Sequence, residues 1–101
     1  AVLQIENILH IQTSAIDSRD KQMIYDNQII TLKNITFEKL KQLLPTNSYC
    51  QINKNEMIRL RCVTFFTADQ IDTSIVFQNK KMVLSIGNSY KAEFSEKMKN
   101  F

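Results

Sequence analysis

Short runs that alternate apolar and polar side chains recur along most of this chain, and each is cut off by a cluster of Asn, Asp, Ser or Lys. That period-two pattern, with its frequent polar punctuation, restricts the chain to short antiparallel strands joined by tight turns. "ILHIQ" at 8–12 is one such run. "KQMIYDNQIITL" at 21–32 reads as two, joined at Asp26-Asn27, residues that tolerate the left-handed backbone of a hairpin turn. "TSIVFQ" and "KMVLSI" form a second hairpin around Asn79. In "SYCQINKNEMIRLRCV", at 48–63, two β-type runs are interrupted by Asn53, Lys54 and Asn55, three side chains that want water or a polar partner. The second of these runs puts Ile58, Leu60 and Cys62 on one face and Arg59 and Arg61 on the other.

Two segments follow a different period. In "NITFEKLKQLLP" the residues Phe37, Leu40, Leu43 and Leu44 recur at helical spacing, and Pro45 ends the run. Thr36 is placed to cap the first free N–H groups, with Ile35 and Leu40 positioned as a hydrophobic staple. The C-terminal "GNSYKAEFSEKMKNF" spaces Tyr90, Phe94, Met98 and Phe101 so that a terminal helix lays one apolar stripe on a sheet. The expected fold is therefore mostly β: an elongated, multi-stranded antiparallel sheet structure with one short internal helix and a C-terminal helix. With 101 residues, a single Gly and a single Pro, the chain has neither the length nor the linker composition for two folded units. Residues 1–101 are read as one domain. The opening "AVLQIENILHI" lacks an initiator Met and a secretory pattern, which leads us to expect a domain excised from a longer protein. Gly87 is expected to serve a special backbone angle.

Composition narrows the function classes. Hydrophobic residues make up 44% and charged residues 23%, ordinary for a globular protein, and no apolar run reaches the roughly 18 residues of a membrane span. No membrane contact by this segment is expected. Cys50, Cys62 and His10 have no close spacing of the kind zinc sites use, so neither a metal nor a cofactor is expected. Two Cys in apolar surroundings read as free thiols of a reducing compartment, the cytoplasm. One His, no paired carboxylates at helical spacing and no glycine-rich phosphate loop leave catalysis without support, and the chain is read as a non-enzyme. Its formal charge is +3, with the cations concentrated in 33–61 and 80–101, an asymmetry that suits a polyanionic partner.

The polar clusters fall at strand ends, where loops carried on a rigid sheet tend to bind. "SAIDSRDK" offers Ser18, Arg19 and Lys21; the turn after Ile52 offers Asn53, Lys54 and Asn55; the segment "GNSYK" offers Asn88, Ser89 and Lys91. Asn presents donor and acceptor together to a base edge, Arg19 is suited to guanine, and Lys21 and Lys54 to phosphates. Backbone N–H groups near Asn88 and Ser89, ahead of a helix and beside Lys91, are placed to receive a phosphate.

The order of these features resembles the LytTR family of DNA-binding domains, the output modules of many bacterial response regulators. The likeness rests on the short helix ending in "LLP", the run from Tyr49 to Ile52 that leads into the polar turn, and the final "IGNSYKAEF" followed by a helix. It implies an elongated LytTR-like β fold whose loops enter successive major grooves of double-stranded DNA, commonly at paired direct repeats. It also implies transcription regulation in a two-component system, an upstream receiver or sensor domain, and a possible dimer on DNA. Asn53 and Lys54 stand where the family usually has His followed by Arg or Asn, and Asn88 stands where it usually has Arg. These departures leave open a different target sequence, weaker binding, or a protein-interaction or oligomerisation module that keeps the fold.

Overall fold

The computed structural model describes residues 2–101. Eight strands form two antiparallel sheets. The first contains β1 (Ile8–Thr13), β2 (Lys21–Tyr25), β3 (Gln28–Leu32), β4 (Tyr49–Asn53) and β5 (Glu56–Arg59) in the order β3-β2-β1-β5-β4. The second contains β6 (Val63–Phe66), β7 (Gln70–Phe77) and β8 (Lys80–Ser85) in that order. Helix α1 (Phe37–Leu43) follows β3, and α2 (Lys91–Lys99) ends the chain. The extents are 34 × 30 × 25 Å, so the elongation is mild.

The five-stranded sheet buries both faces. On one side Ile11, Met23, Tyr49 and Met57 pack with Phe37, Leu40 and Leu44 of the α1 segment. On the other, Ile24, Cys50, Ile52 and Ile58 meet Ile71, Ile75 and Leu84 of the smaller sheet and Phe94 of α2. The resulting layers are helix, five-stranded sheet, then small sheet with α2. Phe94 is 1% exposed and meets Phe66 edge to face at 5.1 Å, a geometry that suits the ring quadrupoles.

Local chemistry accounts for most element ends. Thr36 accepts a hydrogen bond from the Lys39 N–H at 3.1 Å, the expected cap of α1. The two hairpins turn where the sequence predicts: Asp26 adopts φ 54°, and Gln78 and Asn79 adopt 53° and 64°, the left-handed region that tight hairpins require. Pairing slips between Asp72 and Val76 on β7, where the buried Thr73 hydroxyl donates to the Met82 carbonyl at 2.7 Å and accepts from the Ile75 N–H at 3.2 Å. The side chain thus satisfies ladder groups that the slip leaves free.

Three expectations need correction. "MIRLRCV" is not one strand: β5 stops at Arg59, and Leu60–Cys62 form a 3-10 turn. Here the chain leaves one sheet for the other, and the tighter turn reorients the backbone while keeping Leu60 and Cys62 in the core. Strand β6 follows directly, in a stretch with no clear alternation. In α2, Tyr90 and Met98 flank the buried Phe94 as expected, but Phe101 lies past the helix end and is exposed. Gly87 has φ −71°, open to any residue; it is needed for space, since a Cβ there would lie 3.1 Å from the Tyr90 ring and 3.4 Å from Asn53 Cβ.

Candidate nucleic-acid interface

The three polar clusters come together at one edge of the molecule, around the turn between β4 and β5. On one flank, β1 ends beside the start of β5, and the Thr13 N–H donates to the Asn55 carbonyl at 2.9 Å. This sets the loop 14–20 beside the turn. On the other flank, the Gly87 N–H donates to the Ile52 carbonyl at 2.8 Å, bringing the segment 86–90 alongside. Both flanks are tied to the turn by backbone, which fixes their relative placement without depending on any surface side chain.

Within the turn, Asn53 is fully engaged. Its Nδ2 donates to Glu56 Oε1 and to the Ser85 carbonyl, each at 2.9 Å, and its Oδ1 accepts from the Asn55 N–H at 2.8 Å. Glu56 in turn holds Nε2 of His10 at 2.8 Å; the imidazole is 1% exposed. Burial pushes the Glu56 carboxyl up, but the hydrogen bonds from His10 and Asn53 outweigh it and hold the group below the ordinary carboxylate value. A chain of polar contacts therefore runs from the interior at His10 to the surface turn. Lys54 and Asn55, at the tip, are exposed.

The remaining candidates divide by what they touch. Ser18 and Arg19 are exposed. Arg19 makes a two-point contact with Asp17, Nε to Oδ1 at 3.1 Å and Nη2 to Oδ2 at 2.8 Å, which lowers the carboxyl and raises the guanidinium. An exposed pair of this kind contributes little stability, so the guanidinium is easily exchanged to another acceptor. Lys21 is a different case: it is 5% exposed, its ammonium donates to the Ser18 carbonyl at 3.3 Å and lies 5.1 Å over the Phe37 ring. Its sequence-based assignment to a phosphate does not suit this placement; the residue joins the loop to α1. Asp20, next to it, accepts from the Asn34 N–H and from Lys33, contacts that hold its carboxyl low and close the base of the loop.

Asn88 and Ser89 are exposed, but they sit in a 3-10 turn ahead of α2, not at its cap, and α2 begins only at Lys91. Lys91 reaches Asp69 at 2.6 Å. Asp69 belongs to a fourth loop, between β6 and β7, that joins the same edge through a hydrogen bond from the Ile86 N–H to the Asp69 carbonyl at 2.9 Å. Sequence reasoning missed this loop; the polar break "TADQ" was its only signal. It missed the His10–Glu56 contact as well, which joins residues 46 apart. Among the described residues, Lys54 is the cation on this edge that is exposed and has no carboxylate partner. No group of three or more His, Cys, Asp or Glu among the described residues is placed to hold a metal, and no helix is long and apolar enough to cross a membrane.

No protein-family model and no curated protein sequence matches the chain. Among solved structures, it is similar to the LytTr DNA-binding domain of a Bacillus cereus protein described as a methyl-accepting/DNA response regulator. The TM-score is 0.75 at 13% sequence identity, over 95% of this chain and 84% of that one. At so low an identity the agreement is one of architecture, and it shows that this chain has a LytTR-like fold.

Proposed function

We propose that this domain binds double-stranded DNA through the edge built around the β4–β5 turn. The observation that carries this reading is the tying of two further polar segments to the β4–β5 turn by backbone hydrogen bonds. Exposed Ser18, Arg19, Lys54, Asn55, Asn88 and Ser89 are the contacts proposed, and the solved domain of the same fold is named for DNA binding. Lys54 meets a phosphate. Asn55, with a free side-chain amide, reads a base edge. Arg19 exchanges Asp17 for guanine or phosphate, and Lys91 is freed from Asp69 in the same way. Asn53 positions the turn through its contacts to Glu56 and Ser85 instead of reading a base. With a longest extent of 34 Å, one domain covers no more than about one helical turn of a duplex.

The finer reading is a transcription-regulating output domain of a cytoplasmic bacterial two-component response regulator. It would follow an upstream receiver or sensor domain and occupy paired direct repeats as a dimer. Selection of bound duplexes from a randomised pool, followed by fluorescence anisotropy across a salt series, tests the reading. An enriched sequence with a steep loss of affinity in salt supports it. A second reading, a protein-interaction or oligomerisation module on the same fold, is favoured by the pairing of Arg19 with Asp17 and Lys91 with Asp69. No enriched sequence, together with partner binding insensitive to salt, would select it.

A further inference from the structure

A cleft of about 230 Å³ opens between the five-stranded sheet and the β7–β8 hairpin. Its apolar walls come from Met23, Ile24, Ile29, Phe77 and Met82, and its polar groups are His10, Gln12, Gln22 and Gln78. No charged residue lines it. The three Gln side chains have no hydrogen-bond partner among the described residues, and His10 uses only Nε2, toward Glu56. An apolar slot with a few convergent polar groups is the usual form of a small-molecule site.

The chemistry of His10 narrows the ligand. An ionised Glu56 carboxylate only accepts hydrogen bonds, so Nε2 carries the proton and, in the neutral ring, Nδ1 is left as an acceptor. A ligand meeting it must bring a hydrogen-bond donor, and the Gln amides favour a molecule that both donates and accepts, as a carboxamide does. The lining, which carries no Asp, Glu, Lys or Arg, disfavours a strongly ionic group, which would be partly desolvated without a counter-charge.

We infer that this cleft binds a small, uncharged, planar carboxamide, and that its occupancy is felt at the β4–β5 turn through His10, Glu56 and Asn53. The site itself is independent of the DNA-binding reading; only the consequence of moving the turn rests on it. Three consecutive contacts, at 2.8 Å and 2.9 Å and then 2.8 Å to the Asn55 N–H, link the cleft to the exposed tip. A ligand that reorients the imidazole changes what Glu56 offers to Asn53, and Asn53 sets the backbone of Asn55. That is a defined physical route for coupling between two sites.

The test uses the 101-residue chain without DNA, so its failure is distinct from failure of the DNA-binding reading. Isotope-labelled protein is titrated with benzamide and followed by NMR. N,N-dimethylbenzamide, which has no N–H donor, is titrated in parallel. Saturable shifts with benzamide at Gln12, Gln22, Ile24 and Phe77, at least tenfold weaker with the dimethyl compound, are expected. The Asn53 side-chain amide and the Asn55 backbone amide should move with the same midpoint. Absent or non-saturating shifts, or equal binding of both compounds, would overturn the site; saturation in the cleft with Asn53 and Asn55 unmoved would overturn the coupling.

Discussion

Asn53 donates one side-chain amide to two acceptors, Glu56 Oε1 on the neighbouring strand and the carbonyl of Ser85 on the other sheet, both at 2.9 Å. The residue that opens the exposed turn is thereby also a tie between the two sheets. Asn53→Ala leaves the half-buried Glu56 and the Ser85 carbonyl without this partner, a loss of about 1–3 kcal/mol. Urea unfolding should show a lower midpoint with an unchanged slope.

Lys54, at the tip of the same turn, touches no carboxylate among the described residues. Lys54→Ala should leave stability within about 0.5 kcal/mol of the parent chain while weakening duplex binding for every sequence and reducing the salt slope by about 1. Asn55→Ala should instead change base preference at one position. Anisotropy with a selected duplex and its single-base variants separates the two; a Lys54 variant with an unaltered salt slope would count against the proposed phosphate contact.

Glu56 gives stability a defined pH dependence. Its carboxyl is held below the ordinary 4.5, so the folded state binds a proton less readily than the unfolded chain. The contribution is fully present above 4.5 and is lost as pH falls through the lower folded value. Unfolding free energy measured from pH 6 downward should fall in that acid window, and Glu56→Gln should flatten the fall. An identical pH profile in the variant would show that other carboxylates carry it.

The thiols should be silent in the native protein. Burial pushes the Cys50 thiol up to about 11 and raises that of Cys62 as well, so almost no thiolate is present at neutral pH. Alkylation with iodoacetamide at pH 7.5 should proceed only as fast as the chain unfolds, with both thiols reacting promptly in denaturant. Rapid labelling of the folded chain at either position would contradict their placement in the core.

Phe94 is the aromatic anchor between α2 and the sheets, and Phe94→Ala should destabilise by about 3–5 kcal/mol, the range for deleting a buried aromatic ring. Thermal unfolding by circular dichroism measures it. Phe101→Ala, at the exposed end of the same sequence stripe, should change the midpoint hardly at all.

Much of the architecture could be read from neighbours along the chain, because period and capping are short-range. The alternation in β1, the Asp26 and Asn79 turns, the Thr36 cap and the Tyr90–Phe94–Met98 stripe each depend on residues within about a turn of one another. Phe101 was misassigned by the same reasoning: spacing alone does not say where a helix stops.

What remained hidden was the partner of each polar side chain. Ser18, Arg19, Lys21, Asn53 and Lys91 carry the same donors in sequence whether they face a ligand or their own fold. Only tertiary packing turned Lys21 onto Phe37, gave Lys91 to Asp69 and joined His10 to Glu56 across 46 residues. Sequence by itself determined the elements and their apolar faces, since those follow from backbone geometry and local hydrogen bonding. The pairing of strands distant in sequence decided which polar groups remain free at the surface, because a hydrogen bond depends on where both partners end up.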